Sequence, residues 1–134
     1  DTELKGKTVA IWGGAFKPNT DSIDNAPSLR LMEALWAQDV NIKLYDPKAL
    51  AKMQAHFGDR DRLTLCSSAY EAAEGADALM IVTEWKEFWS PDFELLGQLM
   101  NDRLIFDGRN LFDPAYMKQL GFSYFGVGRS SEFS

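Results

Sequence analysis

The chain has 134 residues, 46% of them hydrophobic and 25% charged, with a net charge of −6. That is enough for one domain with a real core, and the acidity and lack of a basic face argue against a nucleic-acid partner. A single cysteine and a single histidine exclude an internal disulfide and a cysteine-rich metal site. There is no apolar run of about 18 residues and no signal-peptide pattern, so neither a membrane partner nor export is expected.

In chain order, Thr8-Val9-Ala10-Ile11-Trp12 is a nearly continuous apolar run that suits a strand buried on both faces of a parallel sheet. It runs into Gly13-Gly14 and a polar loop over residues 13–26 that carries Lys17. Strand, glycine turn, loop and helix is how an α/β fold brings backbone N–H groups and a cation to an anionic ligand. The spacing is not that of the dinucleotide fingerprint, because the two glycines are adjacent and no third precedes the helix. Asn25 or Ala26 caps a helix with Pro27 in its first turn, and Leu29, Met32, Leu35 and Trp36 form its apolar face.

Asn41-Ile42-Lys43-Leu44-Tyr45 reads as the second strand, and Asp46-Pro47 ends it and starts a short helix with Leu50 and Met53 inward. An acidic residue at this place grips a ribose in a dinucleotide fold. N-capping explains Asp46 equally well. Gly58 closes the helix, beside His56, whose position near a helix end is the ordinary one for a histidine. Residues 63–66 form a short third strand ending in Cys66, which is expected to be a packed thiol rather than a nucleophile. Ser68 and Glu71 have capping-box spacing, and Gly75 stops the helix that follows.

Residues 76–83 read as the fourth strand, running into Glu84-Trp85-Lys86-Glu87-Phe88-Trp89. Its aromatic side chains suit a ligand crevice, a partner contact or a lid on the core. Ser90-Pro91 opens a helix with Phe93, Leu96 and Leu99 or Met100 inward. Leu104-Ile105-Phe106 is the fifth strand, followed by the turn Asp107-Gly108-Arg109-Asn110. Asp113-Pro114 starts the last helix, with Met117 and Leu120 inward and Gly121 closing it, and residues 122–125 form a sixth strand. Residues 130–134 read as a loose tail, disordered or foreign to the natural chain.

Strands alternating with helices throughout predict an α/β Rossmann-like, doubly wound, mostly parallel six-stranded sheet in the order 3-2-1-4-5-6 with helices on both faces. Lys17, the Trp85 loop and Arg109 then all follow strands at the ligand-binding edge. Lysine serves phosphate as a point charge and arginine as a planar fork. The competing account is that each pairs with a nearby carboxylate such as Asp21 or Asp107. No nucleophile with an adjacent base can be named, so the chain by itself reads as a binding module.

Gly14-Ala15-Phe16-Lys17-Pro18-Asn19-Thr20-Asp21, Tyr45-Asp46-Pro47, Thr83-Glu84-Trp85, Glu87-Phe88, Phe106-Asp107-Gly108-Arg109-Asn110 and Tyr124-Phe125-Gly126-Val127-Gly128-Arg129 occur in this order. Together they resemble the C-terminal, UDP-sugar-binding domain of bacterial UDP-glucose 6-dehydrogenases, in the UDP-glucose/GDP-mannose dehydrogenase family. The resemblance implies that residues 1–134 are one domain of a larger cytoplasmic, homo-oligomeric dehydrogenase that oxidises UDP-glucose to UDP-glucuronate. It also implies that NAD is bound mainly by an N-terminal domain outside this chain, where the catalytic cysteine also lies. Phe16, Lys17 and Arg109 are the implied contacts to the nucleotide sugar, Arg109 from its own subunit or across a subunit interface. Cys66 matches no catalytic motif of the family, so no catalytic residue is assigned here and the chain alone is expected to be inactive.

One departure stands out. Asp24 occupies the position of the family's arginine that approaches the NAD pyrophosphate, and a carboxylate there repels an anion. A stand-alone, non-catalytic nucleotide-sugar module, a dehydrogenase acting on another nucleotide sugar, and a partner-binding domain using the Trp85 loop are the alternative readings.

Overall fold

The computed structural model describes residues 5–15, 19, 22–23 and 26–126. Phe16, Lys17, Asp21, Asp24, Asn25 and the 130–134 tail lie outside the described residues. The elements alternate along the chain: β1 Thr8–Trp12, α1 Pro27–Trp36, β2 Asn41–Tyr45, α2 Leu50–Phe57, β3 Leu63–Leu65, α3 Ala69–Ala73, β4 Ala78–Ile81, α4 Phe93–Leu99, β5 Leu104–Asp107, α5 Pro114–Gln119 and β6 Ser123–Gly126. A one-turn 3-10 helix, Lys86–Phe88, sits between β4 and α4.

The strands form one sheet in the order β3-β2-β1-β4-β5-β6, every neighbour parallel. Central β1 is paired on both sides, Trp12 lying between Tyr45 of β2 and Ile81 of β4. Its last four residues are all buried, which explains why its sequence does not alternate: both faces are covered. Parallel pairing gathers the carboxyl ends of all the strands at one edge, with the topological reversal between β1 and β4.

Helix boundaries follow local chemistry. Pro27 occupies the first turn of α1, and no side chain caps the helix at Ala26. Ser68 Oγ accepts from the Glu71 amide at 3.0 Å at the start of α3. The other half of the box is shifted, because the Glu71 carboxylate accepts from the Ser67 amide and hydroxyl. These bonds hold the Glu71 carboxyl below its ordinary pKa. Helix α4 starts later than Ser90-Pro91 suggests. Asp92 is its cap, accepting from the Leu95 amide at 3.1 Å, and a carboxylate there also suits the helix dipole.

The core is built around Trp12, which is fully buried. Its ring stacks on Phe88 with centroids 5.1 Å apart, and its Nε1–H donates to the Ala69 carbonyl at 3.0 Å. The stack pulls the segment after β4 down onto the sheet. No helix among the described residues is long and apolar enough to cross a membrane.

Candidate functional site

The segment after β1 is pinned before it reaches the polar loop. Gly13 has φ +101°, and its N–H donates to the Tyr45 carbonyl at 2.7 Å. A Cβ at Gly13 would lie 2.5 Å from Thr83 Cβ, so this glycine serves contact with the end of β4. The Gly14 and Ala15 amides donate to one oxygen of Asp46, Oδ2, at 2.8 and 2.9 Å. Their carbonyls accept from Ser28 Oγ and from Thr83 Oγ1, each at 2.8 Å. All four backbone polar groups of Gly14-Ala15 are therefore engaged by side chains from other parts of the chain.

This corrects the expectation that the turn offers its amides to an anionic ligand. The amides of Gly13, Gly14 and Ala15 are already bonded within the protein. Asp46 is corrected too. It is 1% exposed. Besides the two turn amides it accepts from Trp85 Nε1 at 3.0 Å and, through Oδ1, from the Lys48 and Ala49 amides at 2.8 Å each. Ribose hydroxyls have no access to it. Nor does it cap α2, which begins at Leu50 with Ala49 at the cap position and no side-chain cap bond. It closes the turn ahead of that helix and clasps three loops together.

A second buried carboxylate, Asp107, ends β5. It accepts from the Arg109, Leu111 and Phe112 amides and from the Tyr124 hydroxyl, the last at 2.6 Å. With its lone pairs so occupied, Asp107 does not take the Arg109 guanidinium. That group pairs instead with Glu84, donating from Nε at 3.1 Å and from Nη2. The side chains are 46% and 42% exposed, so the pair is solvated and exchangeable. Arg109 and Gly108 border a groove of about 300 Å³, whose apolar wall includes Leu31, Met80, Val82, Phe106 and Phe125. Of the expected site residues, Arg109 stands at the carboxyl edge, while Phe16 and Lys17 lie outside the described residues.

The aromatic loop is mostly a lid. Trp85 and Phe88 are buried, and only Trp89 of the three is exposed, at 51%. The crevice and partner-contact readings of this loop thus lose two of their three rings. Tyr45 belongs to the same layer. Its hydroxyl donates to Glu87 at 2.8 Å, and burial, followed by that bond and the nearby charges, pushes the phenol well above its ordinary pKa. Cys66 is buried, and burial raises its thiol pKa, as suits an inert packed thiol. Among the described residues no cluster of His, Cys, Asp and Glu could hold a metal ion.

Sequence reasoning named Asp107 only as a carboxylate that could pair with Arg109, and it missed the turn-closing role of Asp107 and the roles of Thr83 and Glu84. The signal for Asp107 was present, since it repeats the Asp46 pattern of an aspartate directly after an apolar strand and before a turn. The predicted strand order sets β1, β4 and β5 side by side, but nothing in the sequence says which side chains meet across their ends, Thr83 with the Ala15 carbonyl and Glu84 with Arg109.

Sheet order, switch-point edge and strand-end cation define a Rossmann-like domain of the nucleotide-binding class. Residues 10–114 match the UDP-glucose/GDP-mannose dehydrogenase family, UDP binding domain. UDP-glucose 6-dehydrogenase of Pseudomonas aeruginosa is 51% identical over 128 residues, a match covering 93% of this chain and 28% of that protein. Among solved structures, UDP-D-ManNAc dehydrogenase of Pyrococcus horikoshii superposes with a TM-score of 0.74 at 28% identity, covering 94% of this chain and 26% of that one. A UDP-glucose dehydrogenase of Pyrobaculum islandicum gives 0.69 at 25% identity, over 81% and 23%. The chain belongs to the UDP-glucose/GDP-mannose dehydrogenase family and carries its UDP-binding domain. It spans about a quarter of the length of these relatives.

Proposed function

We propose that these residues are the UDP-sugar-binding domain of an NAD-dependent UDP-glucose 6-dehydrogenase, a longer cytoplasmic homo-oligomer that oxidises UDP-glucose to UDP-glucuronate. The observation that carries the reading is Arg109, an accessible guanidinium at the carboxyl edge beside the groove, in a chain of this family. Arginine's fork suits a diphosphate, and the Glu84 pair it would exchange is a weak one. Phe16 and Lys17 are proposed as the companion contacts, with the lysine as a second positive charge. The choice of glucose over an N-acetylated sugar rests on the 51% identical relative. NAD and the catalytic cysteine are assigned to the part of the longer protein that this chain does not span, so the chain alone should not turn over.

Calorimetric titration of the chain with UDP, UDP-glucose and NAD, beside Lys17→Ala and Arg109→Ala, tests this. Loss of one diphosphate contact should weaken UDP binding about tenfold or more, with no heat from NAD. Unchanged UDP affinity in both variants would refute the assignment. NADH formation from UDP-glucose and NAD by the chain alone would refute its inactivity.

A further inference from the structure

A dinucleotide-binding Rossmann half uses two features of its first strand pair. The glycine turn after the first strand gives amides to the pyrophosphate, and an acidic residue after the second strand holds the ribose. Both features are present here, and they are bonded to each other. The Asp46 carboxylate receives the Gly14 and Ala15 amides at 2.8 and 2.9 Å. It also receives the Trp85 indole N–H and the Lys48 and Ala49 amides. These are five neutral N–H donors converging on one carboxylate, in the manner of a protein site built for an oxyanion.

The glycines show the same inward use. In a dinucleotide fold they let the ligand approach the backbone. Here a Cβ on Gly13 would strike Thr83, and one on Gly14 would lie 2.7 Å from Met53 Cε. The room the glycines provide is taken up by protein. Among the described residues, the Gly13–Ala15 turn and Asp46 therefore do not fit NAD.

We propose that Asp46 is a built-in anion that fills this domain's own dinucleotide-phosphate position, so that NAD is excluded from it and the domain is left to a ligand gripped by side chains. Asp46 is thus a specificity-determining residue through what it occupies. The inference does not depend on the roles given to Lys17 and Arg109.

The test has two arms. In the first, the chain labelled with 15N is titrated with NAD to millimolar concentration. The Gly14 and Ala15 amide signals should not move, and a saturable shift at either would overturn the exclusion. In the second, Asp46→Ala leaves the five donors around a space the size of the missing carboxylate. Its Tm should fall by about 10 °C or more. About 0.5 M formate should restore about 3 °C, for a dissociation constant near 0.1 M, while chloride at equal ionic strength restores none. Wild type should show no formate-specific gain. If the variant does not stay folded, refolding yield from urea in formate against chloride is the readout. An unchanged Tm in Asp46→Ala, or equal recovery in formate and chloride by whichever readout applies, would overturn the built-in anion.

Discussion

Replacing Gly13 by alanine tests whether the root of the long loop is as constrained as its contacts indicate. Two costs combine. With φ at +101°, any L side chain is strained, at about 1–3 kcal/mol. The new Cβ would also lie 2.5 Å from Thr83 Cβ and 2.7 Å from the Thr83 backbone nitrogen. Neither atom is the free end of a flexible chain, and Gly13 cannot easily retreat because its N–H is held by the Tyr45 carbonyl. Overpacking of this kind costs about 1–3 kcal/mol. The sum is about 2–6 kcal/mol, a large part of the stability of a typical domain. Gly75→Ala is the control: its φ is also positive, at +75°, but nothing lies within 4 Å of the added Cβ, so only the strain is lost. Gly14→Ala is a second comparison, because its clash is with the mobile end of Met53 and should cost less than about 1.5 kcal/mol. Urea unfolding followed by tryptophan fluorescence and circular dichroism gives all three values. Equal losses for Gly13→Ala and Gly75→Ala would refute the close approach of β1 and β4 at this point.

Two further outcomes follow from buried polar groups. The Cys66 and Tyr45 pKa values are both raised in the folded chain, first by burial. Because the folded form holds these protons longer than the unfolded one, their contribution is fully present below the unfolded values, about 8.5 and 10. It is lost as pH rises through the folded values. The urea midpoint should therefore fall above about pH 8.5, less steeply in Cys66→Ala and Tyr45→Phe, and a midpoint flat to pH 11 in wild type would contradict this. Tyr124→Phe removes the hydroxyl that donates to Asp107 at 2.6 Å, which should cost about 1.5–3 kcal/mol for a bond to a charged acceptor. A loss below about 0.5 kcal/mol in urea unfolding would mean that the Asp107 turn holds without it.

The sheet order was legible because its signals are local. The apolar run ending at Trp12, the proline in the first turn of α1 and the glycines closing α2 and α3 each report on a few neighbouring residues, and their alternation limits the topology to one common solution. Arg109 was legible as a strand-end cation for the same reason. Asp46 was misread as a ribose or capping residue because its decisive partners are far away in sequence: Gly14 lies 32 residues before it and Trp85 lies 39 after. The Trp85 loop was left with three readings, crevice, partner contact or lid, and the burial of Trp85 and Phe88 selects the lid. Burial of Phe88 comes with its stacking on Trp12, and composition alone does not say which ring of the loop makes that contact.

Asp46 directly follows β2 and Asp107 ends β5, the strands that flank the central β1–β4 pair, and each is saturated by donors from its own turn together with at least one group from elsewhere. That arrangement bears on how a domain of net charge −6 could present a cation to a diphosphate. An aspartate with idle lone pairs two residues from Arg109 would take the guanidinium in a buried pair, which is costly to break. Asp107 spends its oxygens on three amides and a phenol. Arg109 is left with Glu84, a partner as exposed as itself, in a pair worth about 0.2–1 kcal/mol. On the proposed reading, an arriving diphosphate gives up little to displace that carboxylate and gains a doubly bonded anion contact. Satisfying buried carboxylates with N–H and O–H donors rather than with cations is what keeps positive charge available at the edge of an acidic protein.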